Sequence, residues 1–87
     1  MAQNEILAAA EQLIWGDRQE DYGDASESFG RIAKFWTAYL GAPVNSQDVA
    51  NMMVLLKVSR LVTSPEKKDS YIDIAGYAAL GADIEKV

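Results

Sequence analysis

Apolar residues recur at helical spacing along the chain and mark four segments. Ile6, Leu7, Ala10, Leu13 and Ile14 form the first stripe. Asn4 can cap it, Glu5 suits its first turn, and Trp15-Gly16 ends it. Phe29, Ile32, Ala33, Trp36 and Leu40 form the second stripe, stopped by Gly41-Ala42-Pro43. Asp24 or Ser26 can cap that helix, with Glu27 near its start. The third segment, Val49 to Val62, is apolar nearly all round, which predicts a helix buried on several sides, either central or also meeting another subunit. Ser46 is its expected cap, and Asp48 favours its positive end. A fourth helix begins after Pro65 and carries Ile72, Ala75, Ala79 and Leu80, with fraying expected from Asp83 to Val87. Its small residues, Gly76 and Gly81 among them, allow a neighbour to approach closely. Each of those glycines costs about 1 kcal/mol of helix propensity relative to Ala, which close contact or a ligand would offset. The expected fold is all-α: one domain of four helices around a central antiparallel hairpin, completed as a bundle by oligomerisation.

The third and fourth segments organise the rest. Between them, Thr63-Ser64-Pro65-Glu66 stops one helix and starts the next. Lys57 and Asp73 are each eight residues from Pro65, and Arg60 and Asp69 are five and four away. Equal counts mean equal height in an antiparallel hairpin. Lys57/Arg60 and Asp69/Asp73 are each one helical turn apart and share a face. This spacing admits interhelical ion pairs, a phosphate grip or a metal site.

Composition narrows the chemistry. The chain has 87 residues, 49% hydrophobic and 24% charged, which fits a single globular domain. So small a domain is often helped by oligomerisation. With no Cys and no His, thiolate and imidazole ligands, nucleophiles and bases are excluded. A metal would have to be a hard, oxygen-binding ion such as Mg²⁺. The net charge of -5 argues against DNA-backbone binding, although a local basic pocket for a nucleotide stays open. The first residues lack the positive charge of a signal peptide, and no apolar run is long enough to span a membrane. A cytoplasmic location is therefore expected.

Gly16 to Asp24 is the least core-like stretch. It crowds Asp17, Arg18, Glu20, Asp21, Tyr22 and Asp24 beside Gly16 and Gly23. Asp and Gly favour turns, so it reads either as a solvated connector or as a binding loop.

Three pieces together resemble a family of short phage- and prophage-encoded proteins. They are Gly16-Asp17-Arg18-Gln19-Glu20-Asp21-Tyr22-Gly23-Asp24, Asp48-Val49 leading to Met53 through Leu61, and Asp69-Ser70-Tyr71-Ile72-Asp73-Ile74-Ala75-Gly76-Tyr77-Ala78. More remotely, the last piece is similar to the final motif of the MazG-like all-α nucleotide pyrophosphohydrolases. That resemblance implies a helical core that dimerises or forms tetramers. It also implies acidic side chains that bind Mg²⁺, and cleavage of a nucleoside triphosphate to the monophosphate and pyrophosphate. The motifs depart from that group, which uses Glu-x-x-Glu on one helix and Glu-x-x-Asp on the next. Here the second motif is Asp69-x-x-x-Asp73, one residue longer, and the first offers only basic Lys57-x-x-Arg60 or Asp48-x-x-Asn51.

Three functions follow. The first is a MazG-like nucleotide-handling protein, with hydrolysis left open. In it Asp69 and Asp73 hold Mg²⁺, helped by Asp21, Asp24 or Glu27. Lys57, Arg60 and Arg18 grip phosphate, and Tyr22 or Tyr77 stacks a base. The second is a non-hydrolysing binder that sequesters a nucleotide signal. The third is a helical module for a host protein, in which Lys57, Arg60, Asp69 and Asp73 fix hairpin register.

Overall fold

The structure, a computed structural model, describes residues 4–15 and 25–84. They form four helices, α1 (Glu5–Trp15), α2 (Ala25–Leu40), α3 (Ser46–Thr63) and α4 (Lys68–Asp83). No strand occurs among the described residues. The α3–α4 hairpin is central, with α1 against α4 and α2 against α3.

Local chemistry sets the ends. Asn4 Oδ1 accepts from the backbone N–H of Ile6 at 2.9 Å and of Leu7 at 3.3 Å, so Asn4 caps α1 as its sequence predicts. Gly41 ends α2 at φ +70, in the left-handed region. Thr37 Oγ1 then accepts from Val44 N at 2.9 Å and donates to Val44 O at 3.2 Å, clamping the connection.

The α3 cap is a correction. Ser46 is the first residue inside α3 and is buried, and Asn45 is the cap. The reason is a reciprocal capping box. Asn45 Oδ1 accepts from Asp48 N at 2.8 Å, and Asp48 Oδ2 accepts from Asn45 N at 3.0 Å. Asn45→Ala is expected to cost about 1 kcal/mol, read as a lower urea midpoint at an unchanged m-value. Ser46→Ala should not reproduce a capping loss. Ser26 likewise lies inside α2, which begins at Ala25.

The core is small. It gathers Phe29 and Ala33 from α2, Val49 and Ala50 from α3, Tyr77 from α4, and Ile84 just beyond α4. Trp36 and Ile32 are half-buried against it, as their stripe predicts. Ile84 is 6% exposed, so burial continues past Asp83, where the sequence predicts fraying.

Two further expectations are revised. Leu40 lies on the expected apolar face of α2 but is 55% exposed, because it is the last residue of its helix. And α3 is not buried on several sides: Leu55 and Val62 are 66% and 80% exposed. Helices α2 and α4 cover one side of α3 and leave the opposite side open.

Gly81 explains how closely α3 and α4 meet. A Cβ at Gly81 would come within 3.0 Å of Ala50 Cβ. Gln47 Nε2 donates to the Gly81 carbonyl at 3.0 Å, tying the start of α3 to the end of α4. At the hairpin's other end Lys68 reaches α1, with Nζ 2.6 Å from Glu5 Oε1. The hydrogen bond from Lys68, and then its charge, hold the Glu5 carboxyl below its ordinary range, and Lys68 is raised in return. Both groups are in water, so this contact contributes little to stability.

Candidate functional site

The hairpin brings Lys57 and Asp73 together. Lys57 Nζ lies 3.0 Å from Asp73 Oδ2, and the two side chains are 16% and 17% exposed. Their equal distance from Pro65 in the chain becomes equal height in the structure. A cation and an anion so far removed from water need each other, because either alone would keep its desolvation cost.

Arg60 and Asp69 are not joined to them. Both are exposed, and they make no ion pair with each other. Arg60 follows Lys57 by three residues, so it is rotated about 60° around α3 from the line of contact. Near the turn of the hairpin both charges are exposed, and water competes for them.

The other candidates are dispersed. Tyr77 is 8% exposed and packs on Phe29, with ring centroids 6.1 Å apart and planes at 34°. Its ring is therefore a core element, and stacking on a base would require that contact to open. Glu27 is exposed in the first turn of α2. Arg18, Asp21, Tyr22 and Asp24 lie outside the described residues.

This arrangement bears on Mg²⁺. No group of three acidic side chains that could hold a metal occurs among the described residues. Asp73 is already engaged by Lys57, and Asp69 faces solvent. The described carboxylates therefore do not fit a metal centre built by the protein.

A groove of about 550 Å³ runs between α2 and the start of α3. Ser26, Glu27, Gly30, Arg31, Lys34 and Ser46 are among the residues lining it. Its two cations were passed over in the sequence because they lie off the apolar stripe of α2. The available signal was their i,i+3 spacing, with Glu27 one turn before Arg31. Asp21 and Asp24 precede Ser26 by five and two positions in the sequence.

The four helices and this groove define a small all-α domain with no metal cluster among its described residues. The chain belongs to the family described as a domain of unknown function, DUF6378, whose profile matches residues 5–85. It is 47% identical over 76 residues to the Gene 55 protein of Mycobacterium phage L5, an alignment covering 86% of this chain and 49% of that protein. It is 41% identical over 73 residues to the Gene 55 protein of Mycobacterium phage D29, covering 84% of this chain and 48% of that protein. The chain thus spans about half the length of the curated relatives it matches. No solved structure matches it. These relatives bear out the expected likeness to a phage protein family. No helix among the described residues is long and apolar enough to cross a membrane.

Proposed function

We propose that this domain binds the phosphate of a nucleotide, without a metal, in the groove between α2 and the start of α3. The observation that carries the reading is the pairing of Arg31 and Lys34 along a groove of about 550 Å³. That volume suits a small-molecule ligand. Arg and Lys side chains make charge-assisted hydrogen bonds to phosphate oxygens. Glu27, exposed beside them, accepts from ribose hydroxyls or base amino groups. The net charge of -5 makes a local basic pair, rather than a basic surface, the expected phosphate grip. Binding is as far as the reading goes, because the described carboxylates do not fit a metal centre and no hydrolytic step is assigned to them. A nucleotide sequesterer is the role this implies.

The test is thermal unfolding against nucleoside mono-, di- and triphosphates and cyclic dinucleotides, with Mg²⁺ and with EDTA. Released phosphate and pyrophosphate are read in the same wells. A ligand that binds only the native state raises stability with the logarithm of its concentration over its dissociation constant. The expected result is a shift that survives EDTA, without product. Replacing Arg31 or Lys34 by Ala should weaken binding roughly tenfold. Arg60→Ala should leave binding unchanged. If Arg60→Ala is the damaging change, the phosphate grip lies on the hairpin instead. No shift with any nucleotide would overturn the reading. It would favour a module for a protein partner, the role suggested by Phe35 and Tyr39 at 67% and 89% exposure on α2.

A further inference from the structure

Gly30 lies inside α2 and lines the groove. A glycine within a helix costs stability relative to alanine, so its presence calls for a physical reason. Backbone conformation does not supply one. Among the described residues the glycine at positive φ is Gly41, and Gly30 sits in ordinary helix. Close packing does not supply one either. A Cβ at Gly30 would meet Ser46 Oγ at 3.6 Å, an ordinary van der Waals contact, and no second described atom beyond its own stretch of helix within 4 Å. Gly81 differs, because a Cβ there would press on Ala50 at 3.0 Å. Gly76 differs in another way: it is buried and faces Ile14. What glycine leaves at position 30 is room in the groove.

The neighbours of Gly30 define what that room suits. Glu27, Gly30 and Lys34 follow one another at three and four residues, so they share one stripe of α2, with Arg31 beside it. Glu27 and Lys34 are two turns apart, about 10 Å along the axis. The stripe has an acceptor at one end, cations at the other, and a stretch without side chain between them. A nucleotide presents the matching order. Its phosphate takes the cations, and the hydroxyl and amino groups of its sugar and base donate to a carboxylate. A ring can lie close against a helix backbone where no Cβ stands in the way.

We infer that Gly30 is the floor of the nucleotide site. The ligand lies along α2 with its phosphate at Arg31 and Lys34, its sugar and base over Gly30, and its donor groups toward Glu27. This assignment rests on the nucleotide reading and adds to it the residue that sets how large a body the groove admits.

Two probes separate the parts of the site, adenosine monophosphate and inorganic pyrophosphate, each titrated calorimetrically in EDTA. Pyrophosphate carries phosphate oxygens without sugar or base. Gly30→Leu should weaken adenosine monophosphate about thirtyfold and pyrophosphate by no more than about threefold. Arg31→Ala should weaken both. Gly30→Ala fills less of the groove and should weaken adenosine monophosphate about threefold, while raising the midpoint of thermal unfolding by about 5 °C through helix propensity. That second variant keeps the test valid if leucine disturbs the fold. Wild-type affinity for adenosine monophosphate in Gly30→Leu, beside a loss in Arg31→Ala, would overturn the role of Gly30 and leave the nucleotide reading standing. Equal losses of both probes in Gly30→Leu would also overturn it, as would a lowered midpoint in Gly30→Ala, which would show that packing requires the glycine. A wild type that binds neither probe nor any other nucleotide would overturn the nucleotide reading and this assignment with it.

Discussion

Gly81→Val is expected to destabilise the protein by about 3 kcal/mol, lowering the midpoint of thermal unfolding by roughly 15 °C. The Cβ of any residue at this position meets Ala50 Cβ at 3.0 Å, closer than such atoms normally approach. Ala50 is itself completely buried and cannot turn aside, since its only side-chain atom is that Cβ. The two helices must therefore move apart. That separation would also lengthen the hydrogen bond from Gln47 Nε2 to the Gly81 carbonyl, 3.0 Å in the native fold. Gly76 supplies the contrast. A Cβ there would meet Ile14 Cγ1 at 3.9 Å, an ordinary van der Waals contact. Gly76→Ala should accordingly stabilise by up to about 1 kcal/mol through helix propensity. Urea titrations of the two variants check the pair. Equal effects of either sign would show that the close approach at Gly81 does not set the spacing of α3 and α4.

Asp73→Ala is expected to cost about 2 kcal/mol. It strands the Lys57 ammonium in a site where 16% of the side chain meets water. The residual exposure keeps the loss below that of a fully buried pair. Lys57→Met combined with Asp73→Leu should recover to within about 1 kcal/mol of the wild type, because both desolvated charges are then gone. The measurement is a double-mutant cycle from urea midpoints at constant m-value. A coupling near zero would mean that the two side chains act independently of each other. Nucleotide binding by the double variant then separates structural from functional use. Retained binding would place Lys57 and Asp73 in the scaffold, whereas lost binding with retained stability would put them in the site.

The sequence already contained the helices and the hairpin. Their signals are local: apolar spacing, Asn4 as a cap, Gly41-Ala42-Pro43 as a stop, and Pro65 between the last two helices. Counting from Pro65 also placed Lys57 level with Asp73, since helix rise is constant and both helices leave one short turn. The same counting did not join Arg60 to Asp69, because equal height says nothing about the direction a side chain faces. Ser46 misled as a cap for a related reason. Asn45 and Asp48 satisfy each other, and only their mutual geometry distinguishes that box from a serine cap.

Burial was decided by the tertiary structure. Tyr77, named for stacking, lies against Phe29, while Leu55 and Val62, on a helix expected to be apolar nearly all round, face solvent. Periodicity gives the faces of a helix, but the number of neighbours available to cover them is a property of the whole assembly. The groove holding Arg31 and Lys34 exists only because the turn after Gly41 lays the start of α3 beside α2. Local residues determine where helices begin, end and turn, because those choices are made within a few residues of backbone. Which side chains meet across tens of residues of chain depends on how the helices dock, as where the start of α3 and the end of α4 approach closely at Ala50 and Gly81.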